Sequence, residues 1–268
     1  MDTRLNAAQA AIRERFGELF DEELTPSIRR MGEQPREAAS VAEVDQLRRL
    51  VWQALTDLGG TRLLLPREHG GAAAGQQGAV VLAELLGGAL YQGPLLDTMT
   101  ATQILAADPA GGELLGQIAE GAPVVLAGRE HGSDELADPG PLELTAGRVS
   151  ARRRFVNHAA QAEYLAVLGS RHGRPTCAVV ARADPTVSLR RQQDTGRGEL
   201  YDVTLQDTPA LAVPEGFAVQ WRAILAAARL RQAGYLVGMC RAGLDLAVRR
   251  VRDRRQFDQP IGRFQAPA

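Results

Sequence analysis

The spacing of hydrophobic residues changes twice along the chain, and this pattern limits the possible folds more than any other feature. Up to about residue 121, apolar residues recur every three or four positions, as on one face of an α-helix. From Pro123 to about residue 213 they form short runs separated by Gly, Pro, Asp and Asn, which is typical of β-strands. From Gly216 the helical spacing returns in one long segment that extends to Phe257. This order of helices, strands and helix predicts an α+β protein.

The two changes predict three parts. We expect an N-terminal helical domain over residues 1–121, a small β-barrel or sandwich over 122–213, and the first part of a C-terminal helical domain over 214–268. Ser40 and Glu43 predict a capping box at the start of the second helix. The predicted helices of the first part cover residues 7–24, 40–60, 75–91, 94–108 and 111–121.

Composition narrows the class of protein. The chain has 268 residues, a formal net charge of -1 and 45% hydrophobic residues, so nothing in it favours nucleic acid or a membrane surface as a partner. No stretch approaches the roughly 20 apolar residues of a membrane span, and the predicted location is cytoplasmic. Cys177 and Cys240 stand far apart without metal-ligand spacing, so we expect no metal site.

Four segments occur in an order that resembles the acyl-CoA dehydrogenase family. The C-terminal RRQFDQPIGRFQA is similar to the signature R-x-x-F-G-x-P-I-x-x-F-Q, and VVLAGREHGSDEL is similar to T-E-P-x-A-G-S-D. SARRRFVNHAAQAEYLAVL resembles the landmark K-x-W-I-T-N, and LTDLGGTRLLLPREHGG resembles a turn of the N-terminal helical domain. Together the segments span nearly the whole chain, and the C-terminal motif is the most specific of them.

The resemblance implies a flavoprotein. In this family FAD lies between the β domain and the C-terminal helices, and a neighbouring subunit contacts its pyrophosphate and adenine end. A carboxylate base removes the α proton of an acyl-CoA thioester while flavin accepts the β hydride. The implied partners are acyl-CoA, further subunits in a homo-oligomer or a heteromer with another acyl-CoA dehydrogenase subunit, and possibly an electron-transferring flavoprotein.

The C-terminal motif carries the first candidate residues. By the resemblance, Arg254 reaches the FAD pyrophosphate of the neighbouring subunit, which suits a guanidinium, and Phe257 packs on the same cofactor. An isolated basic run is usually a solvated helix face. Here Pro260, Ile261, Phe264 and Gln265 stand in register with the motif and favour the cofactor-binding role, in which Gln265 is a further candidate. Asp258 replaces the usual Gly of the motif.

Other candidate residues lie in the middle part of the chain and near the start of the last helix. Ser133, after Gly132 and before Asp134, is expected beside substrate and flavin, and Asn157 beside the flavin. Arg229 stands where relatives carry an arginine near the acyl-CoA. An arginine that only covers a small-residue helix surface explains Arg229 equally well.

Several positions depart from the family pattern within this chain's own flavin pocket. Ala127, Gly128 and Arg129 replace Thr, Glu and Pro of the motif. Arg154 stands where the flavin-stacking Trp belongs, and Val156 where the hydrogen-bonding Thr belongs. Each polar atom of a buried flavin edge that is left without a hydrogen-bond partner would cost roughly 1–3 kcal/mol. The pattern therefore predicts an incomplete pocket for FAD.

No catalytic residue is predicted. In most relatives the base follows the R-x-x-F motif, beyond the residues of this chain, and in a minority it stands just before the position of Arg229. Here that residue is Ala227, which cannot take a proton. Glu84 and Glu130 are interpreted as surface or capping residues. The histidines are interpreted as solvated or loop-satisfying side chains: His69, His131, His158 and His172.

Three functions remain open from the sequence. The first is a subunit that supplies FAD-phosphate contacts to a partner and lacks its own base. The second is a fragment of an ordinary, longer acyl-CoA dehydrogenase, which leaves the changes at 127, 154 and 156 without explanation. The third is a flavin-free scaffold or binding subunit that kept the fold.

Overall fold

The computed structural model describes residues 5–20, 41–72, 74–129, 140–193 and 199–264. Several sequence predictions fall elsewhere and lie outside the described residues or side chains: the capping box of Ser40 and Glu43, and the candidates Glu130, His131, Gly132, Ser133, Asp134 and Gln265.

Helices form the N-terminal part, as predicted. The first begins after a capping box that the sequence analysis did not identify: the Gln9 N–H donates to Asn6 Oδ1 at 2.9 Å, and the Asn6 N–H donates to Gln9 Oε1 at 2.8 Å. Phe16, Leu55, Leu82, Leu86 and Met99 are buried in the core between these helices. The helices are α1 Ala7–Glu18, α2 Val41–Asp57, α3 Gly75–Gly88, α4 Leu95–Leu105 and α5 Gly112–Ala119.

All the strand-like segments of the middle part form strands in the described residues. They build two sheets, one with the order β1-β4-β5 and one with the order β2-β3-β7-β6. Strands β1 and β4 are parallel, and the other pairs are antiparallel. The strands are β1 Val124–Ala127, β2 Glu143–Thr145, β3 Arg148–Asn157, β4 Tyr164–Arg171, β5 Arg174–Ala181, β6 Val187–Arg191 and β7 Leu200–Pro209.

The sheets enclose an apolar core because alternate side chains of each strand point inward. Val149, Val156, Leu165, Val203 and Leu205 are buried there. The predicted α+β class is confirmed. The exact division into domains at 121/122 and 213/214 stays a prediction.

One long helix, α6 Phe217–Asp253, follows the sheets. The sequence analysis predicted that it continues to Phe257, and this is wrong. The helix ends at Asp253 because Arg254 is extended, with φ -71° and ψ 123°. The next residues form the hairpin strands β8 Arg255–Gln256 and β9 Gln259–Pro260. These strands were not predicted because the helical spacing of apolar residues continues into this segment.

The buried residues of α6 extend from Phe217 to Gly238, and the rest of the helix is largely exposed. Phe217, Trp221 and Ile224 are buried against the helical and sheet layers. The predicted apolar face includes Val237 and Leu244, yet these are 52% and 64% exposed. None of the helices that the structure describes combines the length and hydrophobicity of a membrane-spanning segment.

Backbone contact between α3 and α6 holds the two helices together. A Cβ added at Gly238 would lie 1.9 Å from the Glu84 carbonyl oxygen, and one at Gly87 would lie 1.8 Å from the Tyr235 carbonyl oxygen. No larger side chain fits at either position. The glycines let the helices approach more closely than any other residue would.

Gly238→Ala should therefore destabilise the protein, whereas Gly243→Ala on the same helix should not. The methyl group of alanine at position 238 would force the two helices apart, which would lower the free energy of unfolding by about 1–3 kcal/mol. Gly243 has no atom within 4 Å of an added Cβ, so alanine there should gain about 0.5–1 kcal/mol of helix propensity. Urea unfolding of both variants measures the difference, and equal stabilities would contradict the proposed contact.

Candidate functional site

A short hairpin follows α6 and carries the first candidate residues; we call residues 254–264 the C-terminal hairpin. The Arg254 N–H donates to the Arg250 carbonyl at 3.0 Å, and the Ile261 N–H donates to the Arg254 carbonyl at 2.9 Å. Phe257 and Asp258 form the turn, with φ of 49° and 60°. Two successive residues with positive φ are the mark of a type I′ turn. The hairpin therefore closes tightly and projects Phe257 at its tip.

The turn explains why the motif has glycine at position 258. Its φ of 60° lies in the left-handed region, where glycine is unstrained and aspartate is tolerated better than most residues. Asp258 thus preserves the backbone shape while adding a negative charge.

Arg254 and Phe257 face solvent. The Phe257 side chain is 87% exposed, and its ring makes an edge-to-face contact with Phe264 at 5.9 Å between ring centres. Among the described residues, no hydrogen bond or ion pair engages the Arg254 guanidinium, and none joins the hairpin to the sheets. Both side chains are therefore available to a ligand or partner.

The two segments predicted to lie beside the flavin ring are neighbours. The Arg154 N–H donates to the Arg129 carbonyl at 2.8 Å, which joins the end of β1 to a bulge in β3. Phe155 in the bulge has a φ of 54° and is 39% exposed. Ala127 and Val156 are buried in the sheet core at 0% and 1% exposure.

Arg154 already has partners. Its guanidinium carbon lies 4.9 Å from the centre of the Phe155 ring, and its Nε lies 3.7 Å from Asp202 Oδ1. Asp202 also accepts hydrogen bonds from Arg190 and Gln192. These contacts hold Arg154 on the sheet surface.

These residues bear on whether the chain fits FAD. The described part of the ring site offers no side-chain hydroxyl at positions 127 and 156, and the guanidinium at 154 is engaged by protein. It does not match the donor set that a flavin ring needs. Arg254 and Phe257 do match a phosphate group and a planar ring. Of these described positions, those of the C-terminal hairpin fit FAD and positions 127, 154 and 156 do not.

The remaining candidates are dispersed. Asn157 is exposed at the end of β3, where it pairs with Leu200 of β7. Arg229 is exposed on α6, and Ala227 is half-buried with its carbonyl bound by Gln76 Nε2 at 2.6 Å. Each candidate role stays a prediction.

A buried arginine is the main feature that sequence reasoning missed. Arg231 of α6 is fully buried between α3 and α4. Its Nη1 donates to Gln76 Oε1 at 2.7 Å and to Gln103 Oε1 at 2.9 Å, and its Nη2 donates to Thr100 Oγ1 at 2.8 Å. Burial lowers the pKa of Arg231 to about 10. The sequence did contain a signal, because position 231 falls on the buried face of α6 one turn after Ala227.

Asp97 of α4 lies close to this arginine and to the end of β1. Its Oδ2 accepts the Leu126 N–H at 3.2 Å, and the carboxyl is half-buried. Desolvation raises the pKa of Asp97 to about 6, opposed by the Leu126 hydrogen bond and by Arg231. Carboxyl groups with a raised pKa are common at functional sites.

Glu84 was interpreted as a surface or capping residue, and the structure gives it a partly exposed side chain, 20% exposed, whose ion-pair partners lie at the surface. It is a half-buried ion-pair centre that binds Arg13 at 3.0 Å and also binds Arg241. It lines a groove of about 260 Å³ between α1, α3 and α6.

His158 satisfies a loop, as interpreted. Its backbone N–H donates to the Glu199 carbonyl at 2.8 Å, and its ring Nδ1 lies 3.4 Å from Gln161 Nε2. Burial lowers the pKa of its imidazole to about 4. Within the described residues, no group of three or more His, Cys, Asp or Glu side chains could hold a metal ion.

Comparison with known proteins shows which sequences the chain resembles. Residues 214–267 match the family model described as "Acyl-CoA dehydrogenase, C-terminal domain". The chain is similar to acyl-CoA dehydrogenase IpdE2 of Mycobacterium tuberculosis, with 28% identity over 221 residues, covering 81% of this chain and 57% of the relative. IpdE2 of Mycolicibacterium smegmatis is 28% identical over 217 residues, covering 81% and 58%. The chain thus spans less than two thirds of the length of these curated relatives.

Solved structures share the fold. The Tcur3481–Tcur3483 steroid ACAD G363A variant matches with a TM-score of 0.75 at 25% identity, covering 97% of this chain and 69% of that one. The ChsE4–ChsE5 complex from Mycobacterium tuberculosis matches with a TM-score of 0.78 at 23% identity, covering 99% and 72%. The resemblance to the acyl-CoA dehydrogenase family predicted from the four motifs is therefore confirmed.

Asp97→Asn should change how stability depends on pH. Because the folded-state pKa is raised, the stability that neutral Asp97 contributes is full below about pH 4 and is lost as pH rises through about 6. Asparagine stays neutral and can still accept the Leu126 N–H. We expect its advantage over aspartate to grow by about 1 kcal/mol between pH 4 and pH 8, a value reduced because the Asp97 side chain is partly exposed.

Chemical denaturation at the two pH values measures this difference. Asp57→Asn, at an exposed position on α2, controls for the substitution itself. An Asp97→Asn advantage that is the same at both pH values would show that burial does not disfavour the carboxylate.

Proposed function

We propose that this chain is a subunit of an acyl-CoA dehydrogenase-type flavoprotein and that its C-terminal hairpin contacts FAD held mainly by a partner subunit. The partner is a second acyl-CoA dehydrogenase subunit, which supplies the ring pocket and the catalytic carboxylate. When bound, FAD accepts a hydride from the acyl-CoA. We infer α,β-dehydrogenation of an acyl-CoA thioester for the assembly.

One contrast carries this proposal. The residues that would act across a subunit interface, Arg254 and Phe257, are exposed and match the family motif. The residues that would act within the subunit are altered: Ala127 and Val156 belong to the sheet core, and Arg154 is bound by Asp202. Loss limited to one side of the site is what a subunit that only assists a neighbour's cofactor would accumulate.

The hairpin suits a diphosphate chemically. The Arg254 guanidinium can donate two parallel hydrogen bonds to phosphate oxygens, and Phe257 can cover an adjoining planar ring. We propose Ser133, Asn157 and Gln265 as further cofactor contacts. Arg229, together with Ser133, is proposed to contact acyl-CoA.

The substrate class and the electron acceptor follow from relatives and are proposals. One similar structure is described as a steroid ACAD, and this supports a fatty-acyl or sterol side-chain thioester as the substrate. An electron-transferring flavoprotein is the proposed acceptor, by resemblance to the family.

A flavin-free scaffold is the second candidate. It is favoured by the apolar residues left exposed on the second half of α6, since such surfaces usually bind protein. They include Leu236, Val237, Leu244, Leu246 and Val251. A scaffold would form the same complex but leave it colourless.

Arg254→Ala should remove flavin from the complex. The test uses the complex formed by co-expressing this chain with a candidate acyl-CoA dehydrogenase subunit from the same genome. Losing a charge-assisted contact of about 1.5–3 kcal/mol should weaken FAD binding by roughly ten-fold or more. Titration of FAD into the apo-complex, followed by flavin fluorescence, gives the dissociation constant.

Arg252→Ala is the matched control, because Arg252 is also exposed and lies one residue before the end of α6. We expect it to bind FAD almost normally. A yellow complex with unchanged affinity after Arg254→Ala would disprove the role of the hairpin. A complex that binds no FAD at all would favour the scaffold.

Asp258→Gly should tighten FAD binding. Glycine keeps the positive φ and removes a negative charge beside the proposed phosphate. Repulsion between an exposed carboxylate and a phosphate costs roughly 0.5–1 kcal/mol of binding free energy, so FAD affinity should rise about two- to five-fold. This increase in affinity should shrink in high salt.

Asp258→Asn separates charge from backbone shape, since asparagine is neutral and also tolerates the left-handed region. Equal gains for both variants would assign the effect to charge. A gain for glycine alone would assign it to the turn, and a loss for both would contradict a phosphate at this position.

A further inference from the structure

A cluster of polar side chains joins α2 to the sheet that contains β3 and β7. Arg48 of α2 donates to Glu199 Oε1 at 2.6 Å, and Gln161 Nε2 donates to Glu199 Oε2 at 3.1 Å. His158, the residue after β3, donates its backbone N–H to the Glu199 carbonyl at 2.8 Å. Glu199 is only 7% exposed. Both oxygens of a buried carboxylate are therefore engaged, one by the helix and one by the segment after β3.

The hydrogen bonds determine which ring nitrogen of His158 carries the proton. A carboxylate only accepts hydrogen bonds, so the amide of Gln161 must turn its nitrogen toward Glu199. The same nitrogen lies 3.4 Å from His158 Nδ1. Because an amide nitrogen only donates, Nδ1 must accept, and the neutral imidazole carries its proton on Nε2. The cluster is complete only in this protonation state.

A protonated His158 would place two donors against each other. The imidazolium would turn an N–H toward the Gln161 nitrogen, which can only donate. The two oxygens of Glu199 are already bound by Arg48 and Gln161. A charged ring in this position would lose the hydrogen bond at Nδ1, and burial makes an unpaired charge costly.

The charged groups around the ring act on it in both directions. Burial is the largest influence and lowers the pKa of His158 to about 4, Glu199 opposes this shift and Arg48 adds to it. Asp45 of α2 lies further out, paired with Arg48 at 3.2 Å, and Arg191 of β6 acts on Glu199. The ring is therefore neutral in the closed cluster at neutral pH.

We propose that His158 is an acid-sensitive latch, whose protonation releases the first half of α2 from the start of β7. Among the described side chains of residues 41–50, Arg48 makes the hydrogen bond that joins this half to the sheet. A charged ring must move toward water to be solvated, and this movement separates Gln161 and Glu199 from Arg48. Val51 and Leu55, in the second half of α2, stay buried in the helical core.

The latch goes beyond the proposed function and requires neither FAD nor a partner subunit. Asn157 and Leu200, which pair at the end of β3 and the start of β7, are the chain neighbours of His158 and Glu199. Opening of the cluster would therefore loosen this end of the sheet together with α2.

Hydrogen–deuterium exchange of the purified chain, measured by mass spectrometry and corrected for intrinsic exchange rates, tests the latch. Because the pKa of His158 is lowered in the closed cluster, the stability from the neutral ring is full above about pH 6.5 and is lost as pH falls toward 4. Proton-linked opening of residues 41–50 should rise roughly ten- to thirty-fold between pH 7.5 and pH 5. At pH 5 residues 41–50 should also open more often than the buried helix α4, since the opening is local.

His158→Asn should remove most of this pH dependence. Asparagine stays neutral and tolerates the left-handed backbone at position 158, where φ is 57°. Burial would raise the pKa of Glu199, but hydrogen bonds from Gln161 and Arg48 outweigh it and hold that pKa below its ordinary value. Glu199 therefore stays charged, and we expect opening to change less than about three-fold over the same range.

His172→Asn is the matched control, because His172 is exposed and has a similar φ of 53°. It should keep the wild-type pH dependence. Titration of the histidine rings by NMR gives a measurement on the wild-type chain that needs no variant to fold. One of the four rings should stay neutral down to about pH 5.

Three results would overturn the inference. The first is an unchanged pH dependence of opening in a folded His158→Asn variant. The second is equal opening of residues 41–50 and α4 at pH 5, which would show that the chain unfolds as a whole. The third is a wild-type chain in which all four histidines titrate above about pH 6.

Discussion

The contact between α3 and α6 is the constraint on which the remaining architecture depends. Three glycines, Gly87, Gly234 and Gly238, bring the two backbones together, and a side chain at any of them would separate the helices. Because α6 continues for 15 residues beyond Gly238 to Asp253, a small rotation at the contact would be amplified at its far end. The contact therefore fixes the direction in which the C-terminal hairpin projects. It also fixes Arg231 between α3 and α4, where the guanidinium binds Gln76, Gln103 and Thr100.

Much of the fold could be predicted from the sequence because its two hydrophobic spacings are clear. Burial against one layer imposes either the helical or the strand period, and the described strands lie where the short apolar runs predicted them. The end of α6 could not be predicted in this way. The sequence around Arg252 and Arg254 is compatible with a helix, and the turn at Phe257 and Asp258 uses two residues that do not signal a positive φ as glycine would.

Some residues of the candidate site could likewise be predicted from the sequence, and others could not. Arg254 and Phe257 were found because a motif preserves them, and Asp258 was recognised as a departure whose conformational reason only φ could supply. Arg231 was missed because an arginine in a helix is normally assigned to solvent. Its burial is a tertiary property: it depends on acceptors from Gln76 and Gln103, which lie 155 and 128 residues away in the sequence. The helical spacing places position 231 on the buried face of α6, but no local pattern identifies these distant acceptors.

The energetics of exposure argue for an interface at the hairpin. Phe257 combines a left-handed backbone conformation, which is unfavourable for a bulky residue, with an almost fully exposed ring. Neither feature stabilises the isolated chain. Ala127 and Val156, in contrast, are unstrained core residues that stabilise the sheet where a flavin-binding hydroxyl would not. The chain thus optimises its own stability at the ring site and accepts a cost at the hairpin. Within the described residues the Phe257 ring stays 87% exposed, which supports the proposed contact with a partner subunit.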